Sequence, residues 1–223
     1  MGTIVVVADS TLARLGSIAE RRWGLFTTAQ ATSAGISRKQ LVRLTTSGVI
    51  ERVAHGVYRT AGAPPQPHES IYATWLSLGG ATAARTESGV SPLVAGGVTA
   101  AVMHEIGDFF LDGLDFIVPS RKGTRLPGVR LRIRHLYPAD VIPVNGLPTL
   151  TVERTLLDLI ELGADTSLVT DALRDAVRQG KVTRPERLRS DLATLGTRHE
   201  SDAHRITAEL DTPLAPVRGG GHG

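Results

Sequence analysis

Capping residues and glycines divide residues 11–60 into short segments, and this division constrains the fold more than any other feature of the sequence. Apolar side chains at every third position of residues 11–23 predict a first helix with Ser10 as its N-cap. Threonine and serine caps, each followed downstream by a glycine, predict two shorter helices over about residues 28–33 and 38–47.

Two β-rich stretches follow the third predicted helix. They cover residues 49–53 and 57–60, and Ala54-His55-Gly56 between them suits a tight hairpin turn because glycine accepts a positive φ. The order of helix, helix, glycine turn, helix and hairpin is that of a winged helix-turn-helix. In that fold the third helix can enter the major groove of DNA.

Basic charge is concentrated in the same part of the chain. Residues 21–60 contain seven basic residues and one acidic residue, a net charge of +6. Because the whole chain has a net charge of +3, the remaining residues together carry −3. A basic segment joined to a slightly acidic remainder is typical of a chain in which one part meets a polyanion. A solvated charged face is the alternative interpretation of this charge pattern.

The third predicted helix separates apolar from basic residues. At about 100° per residue, Leu41 and Leu44 share the buried side, and the polar side chains lie opposite them. Further basic side chains occur at the helix start and on the hairpin, where they can reach bases or phosphates. The residues predicted to bind DNA are Arg38, Lys39, Arg43, Thr46, Arg52, His55 and Arg59.

A proline- and glycine-rich segment, residues 61–67, predicts a linker. We therefore expect a winged helix-turn-helix domain over residues 1–65 and a mixed α/β domain over residues 66–212. Residues 213–223, which end in Gly-Gly-Gly-His-Gly, are expected to be disordered. The predicted fold class is α+β.

The second domain contains two predicted strands, residues 114–118 and 129–134. In the later strand, apolar residues alternate with Arg130, Arg132 and Arg134, so the arginines are expected to point outward and make one sheet face basic. A row of this kind can also serve only to protect an edge strand.

Several runs of the sequence resemble the AbiEi family of antitoxins. Residues 23–31, 34–37, 40–44 and 47–59 resemble its N-terminal winged-helix domain, and residues 146–159 resemble a stretch of its second domain. The resemblance implies an antitoxin that counteracts a cognate nucleotidyltransferase-like toxin. It also implies a repressor of its own operon that binds inverted repeats in the promoter. Whether the antitoxin contacts the toxin directly stays open.

One pair of charged residues lies inside the downstream run. Arg154 and Asp158 are four residues apart on a predicted helix over residues 151–162. Because side chains at i and i+4 are neighbours on a helix surface, we expect a structural intrahelical pair there.

Enzymatic motifs are missing from the sequence. It has no cysteine, no P-loop, no Gly-x-Gly-x-x-Gly and no Glu-x-Lys, so no enzymatic activity, cofactor or metal site is expected. The longest apolar run near the start has five residues, so we expect no membrane contact and a cytoplasmic location. Two alternatives stay open: a winged-helix regulator whose second domain senses a ligand and, less favoured, a metal-dependent nuclease.

Overall fold

The computed structural model of the chain describes residues 2–81 and 86–212. The tail that the sequence predicts to be disordered, residues 213–223, lies outside the described residues. The described chain consists of helices and two sheets, so the predicted α+β class is confirmed. Among the described residues, no helix has the length and apolar character needed to cross a membrane.

The chain divides into two compact units. Unit 1 comprises Met1–Leu93 with Asn145–Leu147, and unit 2 comprises Val94–Val144 with Pro148–Gly223. The division falls after Leu93, whereas the proline-rich segment predicts a boundary near residue 65. Residues 66–93 are therefore grouped with the winged helix.

Unit 1, where described, consists of four α-helices and a three-stranded sheet. The strand order is β1-β3-β2, and β3 pairs antiparallel with both neighbours. This is the predicted winged helix-turn-helix order with one strand added before the second helix. The elements are α1 (Gly2–Ala19), β1 (Leu25–Thr27), α2 (Thr28–Ser33), α3 (Arg38–Thr46), β2 (Ile50–Ala54), β3 (Val57–Thr60) and α4 (Glu69–Ser77).

The first helix and the first strand differ from the sequence prediction. Helix α1 begins at Gly2, so Ser10 lies inside it and is not its cap. Strand β1 has only three residues and forms because it pairs with β3, a partner that is distant in sequence. The core of unit 1 joins these elements to α3 and β2 through Leu15, Phe26, Ile36, Leu41 and Ile50.

Short-range hydrogen bonds define the starts of α2 and α3, and a glycine forms the turn between them. The N–H of Thr27 donates to Gln30 Oε1 at 2.8 Å, and the N–H of Gln30 donates to Thr27 Oγ1 at 3.2 Å. Ser37 and Gln40 form the same capping box at the start of α3, with distances of 2.8 and 3.3 Å. Between the helices, Gly35 has a φ of +80°, which glycine adopts without steric cost. These local contacts explain why both helix starts were predictable.

Helix α4 packs within unit 1, although the linker predicted at residues 61–67 would place it in the second domain. The ring centroids of Tyr72 and Trp23 are 4.8 Å apart. The Arg59 guanidinium on β3 donates to both carboxylate oxygens of Glu69, each at 3.1 Å. The apolar residues of α4 are buried within unit 1. The segment 61–67 therefore connects two parts of one unit.

Unit 2 contains the larger sheet, apart from the first residue of β8, and the five remaining α-helices of the described chain. The strand order is β6-β5-β4-β8-β7, in which β4 pairs antiparallel with β5 and parallel with β8, and β5 pairs parallel with β6. The elements are β4 (Val94–Ala95), α5 (Gly97–His104), β5 (Leu114–Val118), β6 (Val129–Ile133), β7 (Val141–Val144), β8 (Leu147–Leu150), α6 (Val152–Glu161), α7 (Thr166–Arg178), α8 (Pro185–Ala193) and α9 (Glu200–Leu210).

Arg132 on β6 points into unit 2. Its Nε donates to Asp115 Oδ1 at 2.8 Å, and its terminal nitrogens donate to the two oxygens of Asp158 at 2.9 and 2.5 Å. The Asp158 side chain is fully buried and also accepts the N–H of Gly97 at 2.8 Å. The predicted outward orientation is wrong for Arg132, because two acidic residues provide an internal counter-charge. Ile133 is 62% exposed instead.

The protonation of this cluster follows from burial and pairing. Burial by itself lowers the pKa of Arg132, but the hydrogen bonds and charges of Asp158 and Asp115 outweigh burial and raise that pKa above its ordinary value. Burial raises the pKa of the Asp115 carboxyl, and Arg132 partly offsets the effect. Arg132 therefore stays charged and binds two carboxylates that would otherwise lack compensation.

The predicted pair between Arg154 and Asp158 is also wrong. Asp158 pairs with Arg132, and Arg154 Nη2 lies 3.0 Å from Glu161 Oε2. Glu161 also pairs with Arg134. Sequence spacing alone could not reveal this, since Asp158 faces a strand that lies far from it along the chain.

We expect Arg132→Met to destabilise unit 2 by about 3–5 kcal/mol, because it leaves Asp158 and Asp115 buried without their guanidinium. Arg130→Met is the matched control. Its side chain is 67% exposed and lies 3.9 Å from Asp115, so we expect about 0–1 kcal/mol. Urea unfolding followed by far-UV circular dichroism measures both variants, while fluorescence of the two tryptophans, both in unit 1, follows that unit separately. Equal unfolding free energies for the two variants would contradict the internal role of Arg132.

Candidate nucleic-acid interface

Helix α3 has one buried and one exposed face, as the sequence predicts. Leu41 is 1% exposed within the unit 1 core, and Leu44 packs against the same core. On the other side, Val42 is 64% exposed. The polar residues predicted for this helix all lie at exposed positions: Arg38, Lys39, Arg43 and Thr46.

The cations of α3 have no carboxylate partner among the residues that the structure describes. Arg38, Lys39 and Arg43 are therefore open to an external anion. Most arginines on the described helices of unit 2 differ, because they are paired with carboxylates: Arg174 Nε lies 2.6 Å from Glu209, and Arg189 lies 2.7 Å from Glu186. Only unpaired cations can neutralise phosphates without first losing an internal partner.

The β2–β3 hairpin presents Arg52 and His55, and both are exposed. The Nε of Arg52 donates to the carbonyl oxygen of Ala54 at 3.3 Å. One terminal nitrogen of Arg52 lies 3.3 Å from Nδ1 of His55. The two side chains are thus held together near the turn of the hairpin, where a wing commonly meets the DNA backbone.

Arg59 differs from the other predicted site residues. It lies on the central strand β3, and its side chain is only 17% exposed. Its guanidinium donates to Glu51 Oε2 at 2.6 Å and to both oxygens of Glu69 at 3.1 Å. The hydrogen bond to Glu51 contributes most to raising the pKa of Arg59 above its ordinary value. This geometry favours a structural role, because both carboxylates already neutralise the guanidinium.

Four elements of unit 1 line a cleft of about 500 Å³: the start of α2, the exposed side of α3, the hairpin and the end of α4. Of the predicted site residues, Arg38, Arg52 and His55 line this cleft, and the other four do not. Sequence reasoning missed Thr28 and Ser77 in the cleft wall. A single hydroxyl residue carries no sequence signal, so only the fold could identify them.

Comparisons with known proteins agree with this geometry. Residues 14–61 match the AbiEi_4 family model, described as a transcriptional regulator, AbiEi antitoxin. The predicted resemblance is therefore confirmed for the N-terminal region. No curated protein matched the chain.

One solved structure extends the comparison over both units. The crystal structure of the RV2827C protein from Mycobacterium tuberculosis has a TM-score of 0.55 with this chain and 20% sequence identity. The match covers 92% of this chain and 78% of that one. The two proteins therefore have similar folds.

We expect Arg59→Ala to lower the unfolding free energy of unit 1 by about 1–3 kcal/mol, because charge-assisted hydrogen bonds on two elements are lost. Arg52→Ala, on the neighbouring strand and exposed, should change it by no more than about 0.5 kcal/mol. Tryptophan fluorescence during urea unfolding measures both. A structural role for Arg59 would be excluded if the two variants unfolded at the same urea concentration.

Proposed function

We propose that this chain, whose N-terminal region matches a family of antitoxin regulators, binds duplex DNA in its own promoter and represses its own operon. We further propose that it counteracts a cognate nucleotidyltransferase-like toxin. The promoter implied by the family resemblance contains inverted repeats, and winged-helix regulators bind such repeats as paired half-sites. The family match at residues 14–61 supports the regulatory part.

The observation that carries the DNA-binding proposal is the exposed, unpaired basic face of α3. Three cations lie within six residues of one another, on a helix whose opposite side is buried through Leu41. The major groove of B-DNA, about 12 Å wide, admits one helix with its side chains. Helix α3 is held in the core by its apolar face, and its opposite face carries positive charges without an acidic partner among the described residues. Such a helix is suited to the major groove.

We assign different tasks to α3 and to the hairpin. Lys39, Arg43 and Thr46 lie along the exposed side of α3 and read base edges. Arg38 at the helix start, with Arg52 and His55 on the hairpin, contacts phosphates and sets the register on the duplex. Arg59 supports the hairpin from within, since its charge is already used by Glu51 and Glu69.

We assign antitoxin activity to unit 2, which contains residues 148–159 of the segment that carries the second part of the family resemblance. Most of the arginines of unit 2 pair with acidic side chains of the same unit, which disfavours it as the principal DNA-binding part. Regarding the nuclease alternative, the described residues contain no group of three or more histidine, aspartate or glutamate side chains placed to hold a metal ion.

Arg43→Ala should reduce the preference for promoter over random DNA, because a bidentate arginine on guanine is worth about 1–3 kcal/mol of discrimination. Arg52→Ala should weaken binding to both DNAs by one factor and lower the slope of log K against log salt by about 0.9 per lost phosphate contact. Fluorescence anisotropy with both duplexes at several salt concentrations measures these effects.

Arg178→Ala is the control for this experiment. It removes an exposed arginine from α7 of unit 2 and should leave affinity, preference and salt slope unchanged. If Arg43→Ala lowered binding to promoter and random DNA equally, α3 would not read sequence through that residue. If Arg178→Ala matched Arg52→Ala, the assignment of DNA binding to unit 1 would be wrong.

The two proposed activities can be separated within the full chain. Cells that express the cognate nucleotidyltransferase-like toxin should be rescued by the wild-type chain. The Arg43→Ala variant should rescue them as well, because the antitoxin activity proposed for unit 2 does not need α3 to read bases. A promoter reporter in the same cells should lose repression with Arg43→Ala. Loss of rescue together with loss of repression would contradict the division of roles between the units.

A further inference from the structure

The end of α4 contacts the turn of the hairpin directly. Ser77, the last residue of α4, donates its hydroxyl to the backbone carbonyl of His55 at 2.8 Å, across 22 residues of sequence. Helix α4 is a stable support for this contact, because Ile71 and Leu76 are 1% and 2% exposed. The turn is therefore bonded to an element that lies outside both the hairpin and the matched segment 14–61.

The next carbonyl of the turn is bonded by a different helix. The N–H of Thr28, the first residue of α2, donates to the carbonyl of Gly56 at 2.8 Å, and its hydroxyl lies 3.3 Å from the same oxygen. Gly56 has a φ of +66°, which orients successive carbonyls differently. Two consecutive carbonyls are thus used by two different helices, and we call this arrangement the turn clamp.

The turn clamp extends to the cation of the hairpin. His55, whose carbonyl accepts the Ser77 hydroxyl, has its ring Nδ1 3.3 Å from a terminal nitrogen of Arg52. Arg52 also donates to Ala54 in the same turn. The position of the Arg52 guanidinium therefore depends on the position of the turn, and the position of the turn depends on Ser77.

We propose that Ser77 is a positioning residue for DNA binding, which holds the hairpin in the orientation that presents Arg52 to phosphate. The turn lies beyond the last strand pair, Ala54 with Val57, so without the turn clamp it would have to be ordered when DNA binds. The turn clamp orders the wing during folding and removes this entropic cost from association. The inference rests on the proposed DNA binding of unit 1. It extends the binding module from the three helices and hairpin through α4.

The test uses three variants of the full chain. Ser77→Ala removes the hydroxyl, Ser77→Thr retains one, and Ser70→Ala removes an exposed hydroxyl from the first turn of the same helix as the matched control. Anisotropy titrations with promoter and random duplexes give affinity, preference and salt slope. Hydrogen–deuterium exchange of peptides covering residues 54–57 reports the order of the turn without DNA.

We expect Ser77→Ala to weaken binding to both duplexes by about threefold to tenfold, the equivalent of one hydrogen bond, without changing the preference between them. The salt slope should fall, because the phosphate contact of Arg52 is made less often. Exchange at residues 54–57 should become faster, while exchange in α3 stays the same. Ser77→Thr should restore affinity and protection, and Ser70→Ala should behave as the wild type.

Two results would overturn the positioning role. One is Ser77→Ala with faster exchange but unchanged affinity, and the other is a loss of preference between the duplexes with an unchanged salt slope. If the wild-type chain bound neither duplex, the proposed function would be wrong. The exchange data would still test the turn clamp: faster exchange in Ser77→Ala would support it, and unchanged exchange would overturn it.

Discussion

The orientation of the β2–β3 hairpin depends on Arg59, whose guanidinium joins three elements of unit 1. It lies on the central strand, and it binds Glu51 on β2 and Glu69 at the start of α4. The far end of α4 reaches the hairpin turn through Ser77 and the carbonyl of His55. The hairpin is consequently supported at both ends by one helix, and the exposed cations of α3 and Arg52 belong to the same compact unit.

Arginine has two different uses in this chain, and its neighbours decide which one applies. On α3, Arg38 and Arg43 are exposed and have no acidic partner among the described residues, so their charge is available to an external anion. In unit 2, Arg132 is surrounded by Asp115 and Asp158, and removing it would leave two buried carboxylates. A count of basic residues cannot separate these uses, whereas the partner and the burial of each residue can.

The sequence predicted most of what depends on local contacts. The threonine and serine N-caps, the glycine turn and the apolar face of α3 each involve residues within four positions of one another, and the structure has all three. The exposed candidates on α3 follow from the same periodicity. Arg52 and His55 were predictable as hairpin residues because the Ala54-His55-Gly56 turn is itself a local signal.

Predictions failed where the partner was distant. An alternation of period two fits either face of a strand, so the inward orientation of Arg132 depended on Asp158, 26 residues away. For Arg59, the pairing with Glu69 depends on the packing of α4, which the sequence does not indicate; its predicted contact with DNA stays a prediction. The proline-rich segment predicted a domain boundary near residue 65 from its composition alone. Composition does not indicate whether the next helix packs back onto the wing, as α4 does.

Contact of duplex DNA with α3 and the hairpin is tested most directly by arginine side-chain NMR during titration with the promoter duplex. Each arginine has an Nε–H signal that responds to a phosphate or a base within hydrogen-bond distance. We expect the signals of Arg38, Arg43 and Arg52 to shift, and the signal of Arg132, with its internal partners, to stay in place. Shifts confined to arginines of unit 2, with those of α3 and the hairpin unchanged, would contradict the proposed interface.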